Sequence, residues 1–251
     1  MRALFYGLLW VLSLPVAADD ALPAPITALT TRGLSVVDTF EAPGDLSGYV
    51  MSVQGRQLTV FVTKDGQHAL VGTLLDAQGN DLSEAPLNAA MSAQYAGAWD
   101  TLENSHWIAD GDNDAPRVIY TFTDANCPFC HRFWQATQPW VESGKVQVRH
   151  VLVAMLRPDS LPKAVAMLAD EDPGAALARH NHAYEQGGIS PAPTPSSTLT
   201  SQVQANTDVM RSLGLGGTPA TFYQDAEGNV VVKQGLPGDA EMAHVMGSPK
   251  P

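Results

Sequence analysis

The chain has 251 residues, with 14 lysines and arginines against 26 aspartates and glutamates, a formal charge of −12. That balance excludes a binder that tracks nucleic-acid phosphates, and 45% hydrophobic residues exclude a disordered chain. Two cysteines are too few for a disulfide-dense scaffold or a four-cysteine zinc site, and no metal is expected.

Met1-Arg2 is a positive start, followed by the apolar run Ala3 to Leu14, Pro15 and the small residues Val16-Ala17-Ala18. This is the order of a cleaved secretory signal peptide over residues 1–18. The apolar run is shorter than the roughly 20 residues a membrane span needs. The expected location is outside the cytosol, in a bacterial periplasm, where disulfide chemistry is permitted.

Residues 19–84 read as a small α+β block. Pro25 to Gly33 has the proline-first, glycine-last signature of a short helix. Val36 to Phe40 and Tyr49 to Val53 are β-rich, and Gln57 to Thr63 and His68 to Leu75 flank the turn Lys64-Asp65-Gly66-Gln67 as a hairpin. A block this small buries little surface alone, so a second copy paired on a strand edge is expected. Residues 85–115 read as a linker helix. Leu87, Met91, Tyr95, Trp99, Leu102 and His106 recur at spacings of three and four. Helix throughout 85–109 would make a rod about 37 Å long. Its stripe is a packing surface, and Gly111 to Pro116 ends it as a turn.

Residues 116–251 alternate as an α/β layer. Strands are expected at Arg117 to Thr123, Val146 to Met155, Ala220 to Gln224 and Val230 to Gln234. Helices are expected from Pro128 to about Glu142, Leu161 to Asp170, Gly174 to about Glu185, Leu199 to Leu213 and Asp239 to Met246. Pro139 should kink or shorten the first of these. His180 and His182, two apart on a helix, do not share a face and read as solvated. Asp110, Asp112 and Asp114 lack the rest of a calcium loop.

The chemistry concentrates at Cys127-Pro128-Phe129-Cys130. The pair follows a strand and opens a helix. Unpaired N–H groups and the positive end of the helix dipole there favour a thiolate at the first cysteine. Thiolate is the attacking species in disulfide exchange. Cys127 is therefore the candidate nucleophile and Cys130 the resolving thiol, forming a redox-active disulfide with no other cofactor. Pro128 suits the first helical turn because it has no N–H to leave unbonded. His131, partly exposed beside the thiols, can favour thiolate when protonated. Cys127 to His131 also spells C-x-x-C-H, a covalent haem pattern, but in an alternating α/β block rather than a helical one. Gly217-Thr218-Pro219-Ala220 is the second signal. A cis Pro219 would put Thr218 backbone groups beside the cysteines.

A strand, then CPFC opening a helix, then Thr-Pro before a hairpin resembles the thioredoxin fold. Thr121 to Trp134, Pro139 to Val146, Ser105 to Gly111, Asp114 to Pro116, Gly48-Tyr49, Asp65 to Ala69 and Gly235 to Pro237 resemble the periplasmic dimeric disulfide isomerases, in their DsbG branch. The resemblance implies a cystatin-like N-terminal dimerisation domain, long linker helices and a V-shaped homodimer. It implies Cys127 as attacking thiol, Cys130 as its partner, and Thr218 with cis-Pro219 as the substrate loop. It implies disulfide isomerisation or reduction, rescue of sulfenylated cysteines on secreted clients, chaperone-like binding, and reduction by a membrane reductase of the DsbD type. Phe129 and His131 depart from the usual tyrosine and lysine. Thr121 stands where thioredoxin has a buried aspartate. A redox-independent holdase is the alternative reading.

Overall fold

A computed structural model describes residues 22–53, 56–226 and 228–251, and the expected leader 1–18 lies outside them. Helix α1 (Ala24–Thr30) has Pro25 in its first turn and buries Ile26. Strands β1 (Ser35–Ala42), β2 (Leu46–Val53), β3 (Arg56–Val62) and β4 (Ala69–Val71) follow, antiparallel and in that spatial order. Alternate residues of β2 and β3, Tyr49, Met51, Val60 and Val62, pack with Ile26, as strand period two requires. A Cβ on Gly48 would lie 2.4 Å from the Phe40 ring, so only glycine lets that ring lie across β2. The fourth strand stops at Val71, short of the expected Leu75, because Gly72 turns the backbone to φ +141°.

The expected 85–109 rod is corrected. The segment forms two short helices, α2 (Glu84–Gln94) and α3 (Ala98–Glu103), separated by Tyr95-Ala96-Gly97. Glycine inside a helix costs about 1 kcal/mol relative to alanine, and Gly97 takes a non-helical cap position here. The break also aims two rings at the neighbouring sheet. Tyr95 meets Phe222 edge-on at 5.4 Å, and Trp99 meets Tyr120 at 5.0 Å. The apolar stripe is thus a packing surface, as its spacing indicates, but it lies against the C-terminal layer.

The second sheet starts upstream of the expected residue 116. Strand β5 (Trp107–Asp110) is its edge, antiparallel to β7 (Val146–Val153). The order is β5-β7-β6-β8-β9, with β6 (Arg117–Asp124) parallel to β7 and the strands β8 (Ala220–Gln224) and β9 (Val230–Gln234) antiparallel beside it. Helices α4 (Pro128–Glu142) and α8 (Asp239–Met246) cover one face over Ile119, Val148 and Tyr223. Helices α2, α3 and α7 (Ser197–Ser212) cover the other over Tyr120, Phe122 and Phe222. Helices α5 (Ser160–Leu168) and α6 (Pro173–His182) form an insertion packed through Val165, Met167 and Leu177 onto Ile108 and Leu152. Pro139 does not shorten α4, which runs through it to Glu142. No helix among the described residues is long and apolar enough to cross a membrane.

Candidate thiol site

Strand β6 ends at Asp124, and three residues later the chain enters α4. Cys127 is the N-cap residue of α4, in an extended conformation, with Pro128 in the first turn. An N-cap side chain faces the free N–H groups of the first turn. Accordingly the backbone N–H of Cys130 donates to Cys127 Sγ at 3.2 Å. The Thr218–Pro219 peptide is cis, and the Cys127 thiol donates to the Thr218 carbonyl oxygen at 3.3 Å. The structure therefore brings together Cys127, Pro128, Cys130, Thr218 and Pro219. Both cysteines are buried and unbridged.

The two thiols are driven in opposite directions. The Cys127 pKa falls from an ordinary 9.0 to about 6. The Cys130 thiol contributes most to this, with the Thr218 hydroxyl and the N–H groups of Cys130 and Phe129 adding to it against the effect of burial. Cys130 lies well above the ordinary value because it is buried and because a thiolate at Cys127 repels a second charge. The Thr218 hydroxyl is buried and has no hydrogen-bond partner among the described residues, so it is free to turn toward the thiolate.

Two neighbours differ from expectation. His131 is buried, not partly exposed: its ring stacks on Tyr184 at 4.4 Å, and Nδ1 lies 3.3 Å from Asn181 Oδ1. It thus packs between α4 and the insertion. His180 is also buried, contrary to the solvated reading. Gly188, at φ +68°, lets the loop lie on its ring, and the Ile189 N–H donates to Nδ1 at 3.1 Å. The proton is then on Nε2, on the side of the Ala125 carbonyl. Burial pushes the His180 pKa down, which suits a neutral ring. His182 is exposed and meets the edge of Trp134.

Sequence reasoning missed the clamp behind the nucleophile. Asp124 accepts from the Met155 and Leu156 N–H groups at 2.7 and 3.1 Å and from the Ser160 hydroxyl at 2.8 Å. Asn126 donates to Asp159 and Ser160 and accepts from Lys163 Nζ at 2.9 Å. Its carbonyl accepts from the Tyr184 hydroxyl at 3.1 Å. Asp124 and Asn126 are thus held by the insertion and the segments that lead into and out of it. The one local signal was a run of polar types, Asp124 and Asn126, entering a catalytic-looking turn. The partners lie 31 to 58 residues downstream with no motif to mark them.

Phe129 remains 46% exposed, with the Arg132 guanidinium over its ring at 4.4 Å. Thr121 is fully buried, its hydroxyl 3.1 Å from that of Thr221, so the position six before Cys127 carries a hydroxyl pair.

A model of the thioredoxin-like domain matches residues 109–248. The thiol:disulfide interchange protein DsbG of Pseudomonas aeruginosa is 42% identical over 231 residues, covering 92% of this chain and 90% of that protein. DsbG of Escherichia coli is 36% identical over 237 residues, covering 93% and 94%. Among solved structures, the catalytic domain of Proteus mirabilis ScsC aligns at TM-score 0.52 and 24% identity, covering 62% of this chain and 97% of that one. The thiol-disulfide exchange protein α-DsbA2 of Wolbachia pipientis aligns at TM-score 0.51 and 15% identity, covering 66% and 98%. These two establish the fold alone. A paired-thiol site at a helix N-terminus, facing a cis proline in a thioredoxin-like layer, accords with the two sequence relatives, and the chain belongs to the DsbG family of thiol:disulfide interchange proteins, which are thiol-disulfide oxidoreductases.

Proposed function

We propose that Cys127 attacks client disulfides, that Cys130 resolves the mixed disulfide, and that Thr218 with cis-Pro219 holds the client strand. The opposed displacement of the two thiols carries this reading: Cys127 sits near pKa 6 and Cys130 well above 9.0. At neutral pH one thiolate is ready and the other stays protonated until needed. The Cys127 thiolate forms a bond to one client sulfur while the client disulfide breaks, and the other client sulfur leaves as thiolate. A client thiolate then displaces Cys127, which is isomerisation, or Cys130 does, which is reduction and leaves the Cys127–Cys130 disulfide. A client sulfenic acid is attacked at sulfur in the same way, releasing water once a proton is supplied, and Cys130 completes its reduction to thiol. The spent disulfide is reset by a membrane reductase of the DsbD type. Cys130→Ser should trap client mixed disulfides on Cys127, visible as reducible adducts on gels, whereas Cys127→Ser should trap none. Adducts carried by Cys130 alone would reverse the roles.

The setting we propose is the periplasm, reached through removal of residues 1–18, with the protein as a homodimer. The burial of His131 against Tyr184 and Asn181 supports reading the C-x-x-C-H run without haem. Chaperone-like binding belongs to the same proposal. Cys127→Ala separates it from the redox role: suppression of client aggregation should persist while thiol exchange stops.

A further inference from the structure

Two large apolar side chains stand exposed in the described part of the thioredoxin-like layer, Phe129 and Leu156, at 46% and 51%. Both flank Cys127. Phe129 lies between the cysteines. The Leu156 N–H donates to Asp124 Oδ2, and the Asp124 carbonyl accepts from the Cys127 N–H at 3.0 Å. Each apolar residue also has an arginine beside it. Arg132 lies over the Phe129 ring at 4.4 Å. Arg157 follows Leu156 and acts on the Tyr184 phenol in opposition to the Cys127 thiolate. Neither guanidinium forms an ion pair among the described residues. Of the acids nearby, Glu185 acts on the same phenol, and Asp159 is engaged by Lys163 and Asn126. In a chain with 26 acids against 14 bases, two arginines without an ion pair among the described residues stand beside the nucleophile, while the neighbouring Asp124 and Asp159 are engaged.

We propose that this rim is a specificity surface, and that it selects client cysteines in extended, unfolded segments carrying a large apolar residue and a carboxylate beside the cysteine. The proposal rests on Cys127 being the attacking thiol. Exposed apolar area gains from covering by an apolar client side chain. Charge of opposite sign raises the encounter rate and fixes which way the segment lies. An extended segment can lay both groups on the rim while its sulfur reaches Cys127, which is buried at the base. The bond changes are those of exchange: the Cys127–client S–S bond forms, the client disulfide breaks, and the released client thiolate takes a proton from solvent.

The test uses the reduced full-length mature protein and short peptides, each bearing one cysteine in a disulfide with 2-mercaptoethanol. The peptides differ only beside the cysteine: glutamate, glutamine or lysine in one series, leucine or serine in the other. Exchange rates should fall from glutamate to glutamine to lysine, spanning about tenfold at low salt. The span should narrow at about 0.5 M salt, where charges are screened within a few ångströms. The Arg132→Gln, Arg157→Gln double variant should bring the glutamate-to-lysine ratio near one. Leu156→Ser should reduce a leucine-over-serine preference of about threefold. Each ratio is read within one protein, so a change in thiolate fraction cancels. Equal rates across the wild-type series, or a charge ratio unmoved in the arginine variant, overturn the rim. Failure of every peptide to react with the wild type overturns the assignment of Cys127 and the rim with it.

Discussion

At the scale of single residues, the site works by making one sulfur easy to ionise and the next difficult. This couples redox state to stability. In reduced protein, Cys127 has a folded pKa near 6 against an ordinary 9.0. A depressed folded pKa contributes stability fully present above the unfolded value and lost as pH falls through the folded one. Reduced protein should therefore gain in Tm between pH 6 and 9, while the oxidised form, which lacks the group, should not. Parallel curves for the two forms would show that the thiolate is not stabilised by the fold. Thr218 is the second lever. Its buried hydroxyl favours the thiolate, and Thr218→Val keeps the shape while removing it. A hydrogen bond to a charged group is worth about 1.5–3 kcal/mol, which for a two-electron couple is roughly 30–65 mV. Loss of that bond destabilises the reduced form, so the potential should fall by that amount and the protein should become less oxidising. An unchanged potential against glutathione would leave Thr218 as a steric spacer. The cysteines were legible in the sequence because the helix dipole acts locally, whereas Thr218 and Pro219 were legible only beside the cysteine pair and through the resemblance, since an isolated Thr-Pro says little. Lys163, Ser160 and Tyr184 were not, because their roles depend on an insertion folding back onto residues 124–126.

Elements explain why that insertion matters. The chain from β6 to α4 is three residues long and could not fix its own geometry. Helix α5 holds it through Lys163, which is buried and contacts Asn126 Oδ1 at 2.9 Å and Asp159 at 3.0 Å. Lys163→Met would leave the Asn126 oxygen without a donor, a loss of about 1–3 kcal/mol, seen as a lower denaturation midpoint. The Cys127 thiolate midpoint should also rise toward 9.0 as the Cys130 N–H contact loosens. An unmoved thiolate midpoint would confine the clamp to stability. A second pair, buried His150 and half-buried Asp110, lies between β5 and β7. Asp110 Oδ2 is 3.8 Å from His150 Nε2 and accepts from Gln138 at 2.9 Å. Burial raises the Asp110 pKa, but these partners outweigh it and the net direction is down. Its contribution should be lost as pH falls below the ordinary 3.8, so Asp110→Asn should flatten the acid limb of the stability curve. Periodicity located nearly all of these elements, including both terminal strands and α8. It failed at 85–110. A three-four stripe there continues through Gly97, whereas tertiary contacts at Tyr95 and Trp99 favour a break, and an open sheet edge takes up Trp107 to Asp110.

At the scale of the whole molecule, the N-terminal sheet is unevenly finished at its two edges. Strand β1 shifts register between Val36 and Asp38, and such an irregularity discourages pairing with another chain. Among the described residues, strand β4 pairs with β3 on one side only. It presents Leu70 and Val71, 60% and 58% exposed, with Leu75 at 57% just beyond. Two large apolar residues on a short edge, with a third just beyond it, are a liability unless something covers them. The four-stranded sheet, backed by the short α1 and touched by α2, is also too small to gain much from its own core. A second copy laid against β4 would pair the free backbone groups and bury the same three side chains at once. Light scattering at micromolar concentration should then give roughly twice the chain mass. Val71→Pro removes the strand N–H, and Leu70→Lys places a charge in the joint. Together they should give a monomer whose Cys127 still alkylates with a midpoint near pH 6, since the thiol site draws on no residue of β4. A dimer that survives both changes would move the interface elsewhere on the molecule, and a wild-type monomer would remove it.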